Sequence, residues 1–184
     1  SAQATCATED KILVSGQGYV RSAPIKELLK INSLAHDEKQ KASRSQYKPL
    51  KPLNWQESLF DGERSNSFIR SLHCNKITNK IYAGGWCETG FYTSYPSSPG
   101  TSLWVSEDGG INFHRHPLYD QLNYVDQDTG QTLPMAINSI STSHYKDHEF
   151  IFIGGEGSGP ANNSKYSPNY PAFYIIMDGK LLPS

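Results

Sequence analysis

The stretch "SLWVSEDGGINF", Ser102–Phe113, combines an apolar run, a tight turn and the start of a second run. Uninterrupted apolar residues such as "LWV" are typical of a strand that is buried on both faces. The following "EDGG" is typical of a reversal, because glycine adopts the positive φ angles that tight turns need. The segment therefore predicts a β-hairpin closed by an acidic turn.

Related segments recur along the chain at nearly constant spacing. "KILVSG" at Lys11–Gly16, "KIYAGG" at Lys80–Gly85 and "FIFIGG" at Phe150–Gly155 are separated by 69 and 70 positions. The second is preceded by "IRSL" at Ile69–Leu72, and the third by "INSI" at Ile137–Ile140. An ordered set of this kind predicts an internal repeat.

The repeat includes the acidic turn. "FYIIMDGK" at Phe173–Lys180 aligns with "LWVSEDGG" at Leu103–Gly110, 70 positions earlier. Each unit then consists of a hairpin, a long loop and a second hairpin, which is the pattern of an antiparallel four-stranded blade. We predict an all-β fold, a β-propeller-like array of such blades within a single domain, 1–184, with repeats at about 1–60, 61–125 and 126–184. Three units do not close a ring, so the array is expected to be a partial propeller or one completed by an oligomer.

The first repeat departs from this pattern. No second hairpin is evident after Gly16, and a helix is predicted at about 23–40, with Ser22 near its N-cap and Pro24 in its first turn. Apolar positions on one face of this segment indicate that it packs on the rim of the blades.

The acidic turn resembles the Asp-box, or BNR repeat, of sialidases and related propellers. Ser106, Asp108, Gly110 and Phe113 match that motif, whereas Asn112 stands where a hydroxyl residue is usual. The resemblance implies that these residues form a structural turn, distant from the active face, in which Asp108 and Ser106 accept backbone hydrogen bonds. The arginine motif of sialidases is absent, so their catalytic residues are not carried over.

Composition restricts the function classes. A formal net charge of −1 gives no indication of nucleic-acid binding, and no apolar run is long enough to span a membrane. The Tyr, Asn and Gly content, with few charges, favours a secreted or periplasmic protein. Cys6, Cys74 and Cys87 allow at most one disulfide, and buried free thiols are an equal alternative.

Catalytic and metal-binding patterns are weak. Glu88 and Glu156 follow the Gly-Gly pairs of two repeats and are candidate acids of a glycosidase pair. His114 and His116 would share one face of a strand, but they lack a third metal ligand. We expect no metal and no cofactor, and the sequence leaves open whether the protein is an enzyme.

Two loops of similar composition occupy equivalent places in the repeats, at Gly84–Gly100 and Gly154–Pro171. Aromatic faces stack on sugar rings, and the same residue types serve protein recognition. The candidate contact residues are Trp86, Tyr92, Tyr95, Tyr166 and Tyr170. The resulting hypothesis is a non-catalytic recognition module that binds a glycan or a protein, with further blades or an oligomer as partners. A fragment of a sialidase-like glycoside hydrolase and a scaffold or assembly factor are the alternatives.

Overall fold

A computed structural model describes residues 2–30, 53–61, 67–87, 101–119, 121–125, 132–157 and 170–183. Most of these residues lie in strands, which form three predominantly antiparallel sheets of four or five strands. The all-β class predicted from the sequence is confirmed, and the three described sheets do not close into a ring.

The first sheet has the order β1-β2-β3-β4, with β1 Ala2–Ala7, β2 Lys11–Gly16, β3 Tyr19–Pro24 and β4 Gln56–Glu57. The second has the order β5-β9-β8-β7-β6, with β5 Leu59–Phe60, β6 Ser67–Cys74, β7 Ile81–Cys87, β8 Thr101–Ser106 and β9 Asn112–Arg115. The third follows the order β10-β11-β12-β13-β14, with β10 Asn123–Val125, β11 Thr132–Tyr145, β12 His148–Gly157, β13 Tyr170–Met177 and β14 Lys180–Leu181. Helix α1 begins at Ile25, and its described part covers residues 25–30.

The three sheets share one strand register. Ile12, Ile81 and Ile151 each lie in the second strand of a four-stranded meander, as the repeat predicts. Ile81 pairs with Ser106 and Ile151 with Ile176, which reproduces the 70-residue offset of the sequence alignment.

A register shift in the first strand of each four-stranded meander gives a second, independent match. The pairing skips Gln3 in β1, Arg70 in β6 and Asn138 in β11, each beside the glycine that ends the repeated run of the following strand. A β-bulge places one extra residue opposite the partner strand, and here it does so at the same position three times.

The sheets pack face to face around two apolar cores. Between the first and second sheets the core is Leu13, Val20, Ile69, Leu72, Ile81, Ala83, Trp104 and Phe113. Between the second and third sheets it is Tyr82, Leu103, Leu122, Met135, Ile137, Ile140, Ile151, Ile153 and Ile176. The second sheet therefore buries both of its faces, as the apolar run "LWV" predicts. The third buries one, because Phe173 on its other face is 59% exposed.

Equivalent residues join neighbouring sheets. A disulfide links Cys6 in β1 to Cys74 in β6. One sheet further along, a hydrogen bond of 2.8 Å joins Nε2 of His73 in β6 and Oγ1 of Thr142 in β11. His73 has the register position of Cys6, and Thr142 that of Cys74. The step from the first sheet to the second thus matches the step from the second to the third.

The structure of the first repeat differs from the sequence-based expectations in its third strand and in the start of its helix. A further hairpin follows Gly16, because β3 pairs antiparallel with β2 through the turn at Gln17 and Gly18. The helix expected at 23–40 begins later, since Ala23 and Pro24 belong to β3. Ser22 is a buried strand residue and not an N-cap.

The repeat boundaries are also displaced by a few residues. β5 pairs with β9 of the second sheet, although it falls within the expected first repeat of 1–60. β10 pairs with β11 of the third sheet, although it falls within 61–125. In both cases the chain joins the edge of the next sheet before the next meander begins.

Candidate functional site

The turn between β8 and β9 is organised by the carboxylate of Asp108. Its Oδ1 accepts hydrogen bonds from Ser106 Oγ at 2.8 Å, Ile111 N at 3.0 Å and Asn112 N at 2.9 Å. Partial burial of the carboxyl acts to raise its pKa, but the hydrogen bonds from Asn112, Ser106 and Ile111 outweigh that effect and lower the pKa to about 2. Such a group is a poor general acid at neutral pH.

Asn112 adds a side-chain contact to the same carboxylate. Its Nδ2 donates a hydrogen bond of 2.7 Å to Asp108 Oδ2. Asn112 therefore binds Asp108 through both its backbone and its side chain.

Contacts with neighbouring segments of the chain hold the rest of the turn in place. Gly109 and Gly110 have φ angles of 73° and 85°, and a Cβ on Gly110 would lie 2.6 Å from Leu13 of the first sheet. Gly110 O also accepts a hydrogen bond of 2.6 Å from Ser58, while Phe113 is fully buried and stacks on Phe60. The turn thus carries part of the contact between the first and second sheets.

A simpler turn occurs at the equivalent place in the third sheet. Asp178 has a φ of 48°, and its carboxylate accepts hydrogen bonds from His148 Nδ1 at 2.6 Å and Glu149 N at 2.9 Å. These two hydrogen bonds lower the pKa of Asp178. In the first sheet, residues 25–55 lie between β3 and β4 in the sequence, and the described part of that segment contains α1 rather than such a turn.

We call the edge of the sheets that carries the Asp108 and Asp178 turns the turn end, and the opposite edge the loop end. At the loop end, β7 leads into residues 88–100 and β12 into residues 158–169. The loop ends of the second and third sheets lie side by side, because Arg70 contacts Asn138 there. Their turn ends also lie side by side, because Asn75 contacts Glu149 there.

The sequence-derived contact residues are divided between described and undescribed parts of the chain. Trp86 pairs with Thr101 near the end of β7, and Tyr170 pairs with Gly157 at the start of β13. Glu156 occupies the position in β12 that Trp86 has in β7, opposite Pro171. The other candidates lie outside the described residues, namely Glu88, Tyr92, Tyr95 and Tyr166.

Two polar residues at the loop end were not identified from the sequence. Arg70 and Asn138 are the bulge residues of β6 and β11, and Arg70 Nη1 donates a hydrogen bond of 3.1 Å to Asn138 Oδ1. The matching strings "IRSL" and "INSI" align the two residues, but only the paired strands bring their side chains together.

A tyrosine–carboxylate pair lies at the interface of the second and third sheets. Tyr82 Oη donates a hydrogen bond of 3.4 Å to Glu149, which also accepts one of 2.9 Å from Asn75. Tyr82 is 2% exposed, and its burial, together with the charge of Glu149, raises its pKa. An activated nucleophile needs access and a lowered pKa, and Tyr82 has neither. Its contacts with Glu149 instead join the second and third sheets.

The histidines do not form the expected pair on one strand face. His114 is exposed and lies 3.0 Å from Asp61, whereas His116 follows β9 and is buried beside Tyr82. Burial lowers the pKa of His116 to about 4, with a smaller contribution from the charge of Lys80. In the described part of the chain, no three His, Cys, Asp or Glu side chains are placed to hold a metal ion.

A shallow groove of about 380 Å³ lies at the turn end of the first sheet. It is bounded by the β1–β2 turn and by the beginning of α1, and both acidic and basic side chains line it: Glu9, Asp10, Lys11 and Lys26. This mixture does not select a class of ligand.

Comparisons with protein-family models, with curated proteins and with solved structures find no match to this chain. Within the ranges that the structure describes, no helix is both long and apolar enough to cross a membrane.

Proposed function

We propose that the chain is a recognition module of an exported, Asp-box β-propeller type, which binds a glycan or a protein surface at the loop end. The observation that carries the proposal is that β7 and β12, which precede residues 88–100 and 158–169 in the sequence, end at the same edge of two adjacent sheets. The sequence segments that follow these strands are rich in Tyr, Ser, Asn and Gly, and such residues supply the aromatic and amide groups that glycan and protein ligands need.

Side chains of the first strands add a polar component to this edge. Arg70 and Asn138 lie beside one another near the loop end and provide guanidinium and amide groups. Such groups form directed hydrogen bonds with hydroxyl or carbonyl oxygens.

Two further observations support the architecture and the compartment. The repeated four-stranded meander, the repeated bulge and the turn held by Asp108 agree with a propeller-like array. The disulfide between Cys6 and Cys74 agrees with a secreted or periplasmic location, because such bonds persist in oxidising compartments.

The proposal is tested by binding assays on an Arg70→Ala variant and on a variant with Tyr92, Tyr95, Tyr166 and Tyr170 changed to Ala. A glycan array and a cross-linking capture from extracellular fluid identify the ligand of the unchanged chain. We expect each variant to bind that ligand at least about tenfold more weakly, since one lost directed contact corresponds to about 1.4 kcal/mol.

The matched control is Lys76→Ala, at an exposed cationic residue in the turn between β6 and β7, at the turn end. It should bind as the unchanged chain does. Equal binding by all variants would reject the loop end as the recognition surface. A ligand that is found by the cross-linking capture, with no signal on the glycan array, would identify the ligand as a protein rather than a glycan.

A glycoside hydrolase of the same architecture is the second candidate. It is favoured by Glu156, which stands at the loop end of β12. Hydrolysis of a captured glycan that is abolished in Glu156→Gln and Glu88→Gln would establish this alternative. Hydrolysis that both variants retain would exclude these two carboxylates as its catalytic pair.

A further inference from the structure

The third sheet presents an aromatic face that no described part of the chain covers. Phe150 and Phe152 of β12 stack with ring centroids 6.3 Å apart, and Phe152 and Phe173 of β13 stack at 6.4 Å. Phe173 is 59% exposed. We call these three rings the outer phenyl face.

The equivalent positions in the other two sheets form the cores. Phe152 has the register position of Tyr82 and Leu13, and Phe173 has that of Leu103 and Val20. Tyr82 and Leu103 are buried against the third sheet, whereas Leu13 and Val20 are buried against the second. The outer phenyl face therefore has the side chains and the position of a surface that a following sheet covers.

The two internal interfaces also show which residues pack against a face of this kind. In the second sheet, Ile81 and Ala83 of β7 pack against the first sheet. In the third sheet, Ile151 and Ile153 of β12 pack against the second. The register places Ile12 and Val14 of β2 at the same positions, on the side of the first sheet that faces away from the second. Both side chains are half-buried and apolar.

We propose that the outer phenyl face binds the Ile12 and Val14 face of a second copy of this chain. The contact repeats the step that already joins the first sheet to the second and the second to the third. It also places Arg21, whose position corresponds to Trp104 and Tyr174, against phenyl rings, where a guanidinium group interacts favourably. The contact is head-to-tail and so uses different surfaces of the two copies.

Sedimentation velocity and light scattering over a wide concentration range test this assembly. We expect the unchanged chain to reach at least twice its mass of 20.5 kDa as the concentration rises. Phe173→Lys and Val14→Lys should each weaken association by about 30-fold or more, because each removes one buried apolar side chain and introduces a charge at the contact.

The matched control is Ile77→Lys, at a residue that is 72% exposed in the turn between β6 and β7. It should associate as the unchanged chain does. Phe173→Ser is the second variant at the outer phenyl face, since it removes the ring without adding a charge. Circular dichroism of each variant shows whether the fold is retained.

Three outcomes would overturn the proposal. The first is an unchanged chain that stays monomeric at millimolar concentration. The second is a folded Phe173 variant that associates normally. The third is association that is lost in Phe173→Lys but kept in folded Val14→Lys, which would indicate that two outer phenyl faces pair with each other.

Discussion

At the scale of single residues, Asp108 determines the conformation of the β8–β9 turn. Its carboxylate accepts hydrogen bonds from Ser106, Ile111 and Asn112. We expect Asp108→Ala to lower the free energy of unfolding at pH 7 by about 2 kcal/mol, because hydrogen bonds to charged groups contribute about 1.5–3 kcal/mol. Urea denaturation measures this loss, and Asp147→Ala, at an exposed acid in the β11–β12 turn, should change stability by less than about 0.5 kcal/mol.

The same carboxylate gives a defined pH dependence. Its pKa in the folded chain, about 2, lies below the ordinary value of 3.8, so its contribution is complete above pH 4 and is lost as the pH falls toward 2. The stability difference between the unchanged chain and Asp108→Ala should therefore shrink over that interval. A difference that stays constant from pH 5 to pH 2 would show that the carboxylate is not the stabilising group.

His116 should produce a separate effect at higher pH. Because burial lowers its pKa to about 4, the unfolded chain binds a proton more readily between about pH 6.5 and pH 4. Stability should fall as the pH decreases through this window, by up to about 3 kcal/mol from this residue. The imidazole resonances followed by NMR give the pKa directly, and His116→Gln should remove this part of the dependence, whereas His114→Gln should not.

At the scale of strands, glycine positions show which sheet faces are covered. A Cβ on Gly84 of β7 would lie 2.5 Å from a methyl group of Ile137, whereas a Cβ on the equivalent Gly154 of β12 would meet only the Ser139 hydroxyl closely. We expect Gly84→Ala to cost about 1–3 kcal/mol, as overpacking in a core does. Gly154→Ala should cost clearly less. Equal costs by thermal or urea denaturation would contradict the packing of β7 against β11.

Sequence patterns predicted strands where apolar runs and turn residues coincide. The strands near Ile81 and Ile151 and the turn at Asp108 belong to this class. The sequence pattern does not predict β3, because "YVRSAP" contains Arg21 and ends in proline, so that its strand state depends on pairing with β2 rather than on a local pattern. The start of α1 was misplaced for the same reason, since Ser22 and Ala23 are held in that pairing.

The candidate site was only partly accessible to sequence reasoning. Matching repeats located the two loop segments, because loops of one composition followed the same apolar run. The pairing of Arg70 with Asn138 needs the register of two sheets and their relative placement, which no local pattern contains. The sequence does not determine the cysteine pairing for a similar reason, since the disulfide depends on β1 lying beside β6.

At the scale of the whole molecule, the Cys6–Cys74 disulfide joins the first strands of two sheets across 68 residues. Loop-closure entropy indicates a contribution of about 4 kcal/mol for a loop of this length. We expect reduction, or the double change Cys6→Ala and Cys74→Ala, to lower the free energy of unfolding by up to that amount, with Cys87→Ser as the control. Thiol titration of the denatured chain should find one free thiol, because three cysteines contain one bridge.

The central claim is that successive sheets stack by one repeated step, with equivalent first strands side by side. Nuclear Overhauser contacts in a methyl-labelled sample test it most directly. We expect cross peaks between the Thr142 methyl group and the His73 ring, and between an Ile137 methyl group and the α protons of Gly84. Absence of both, with Thr142 in contact with residues outside β6, would contradict the stacked arrangement.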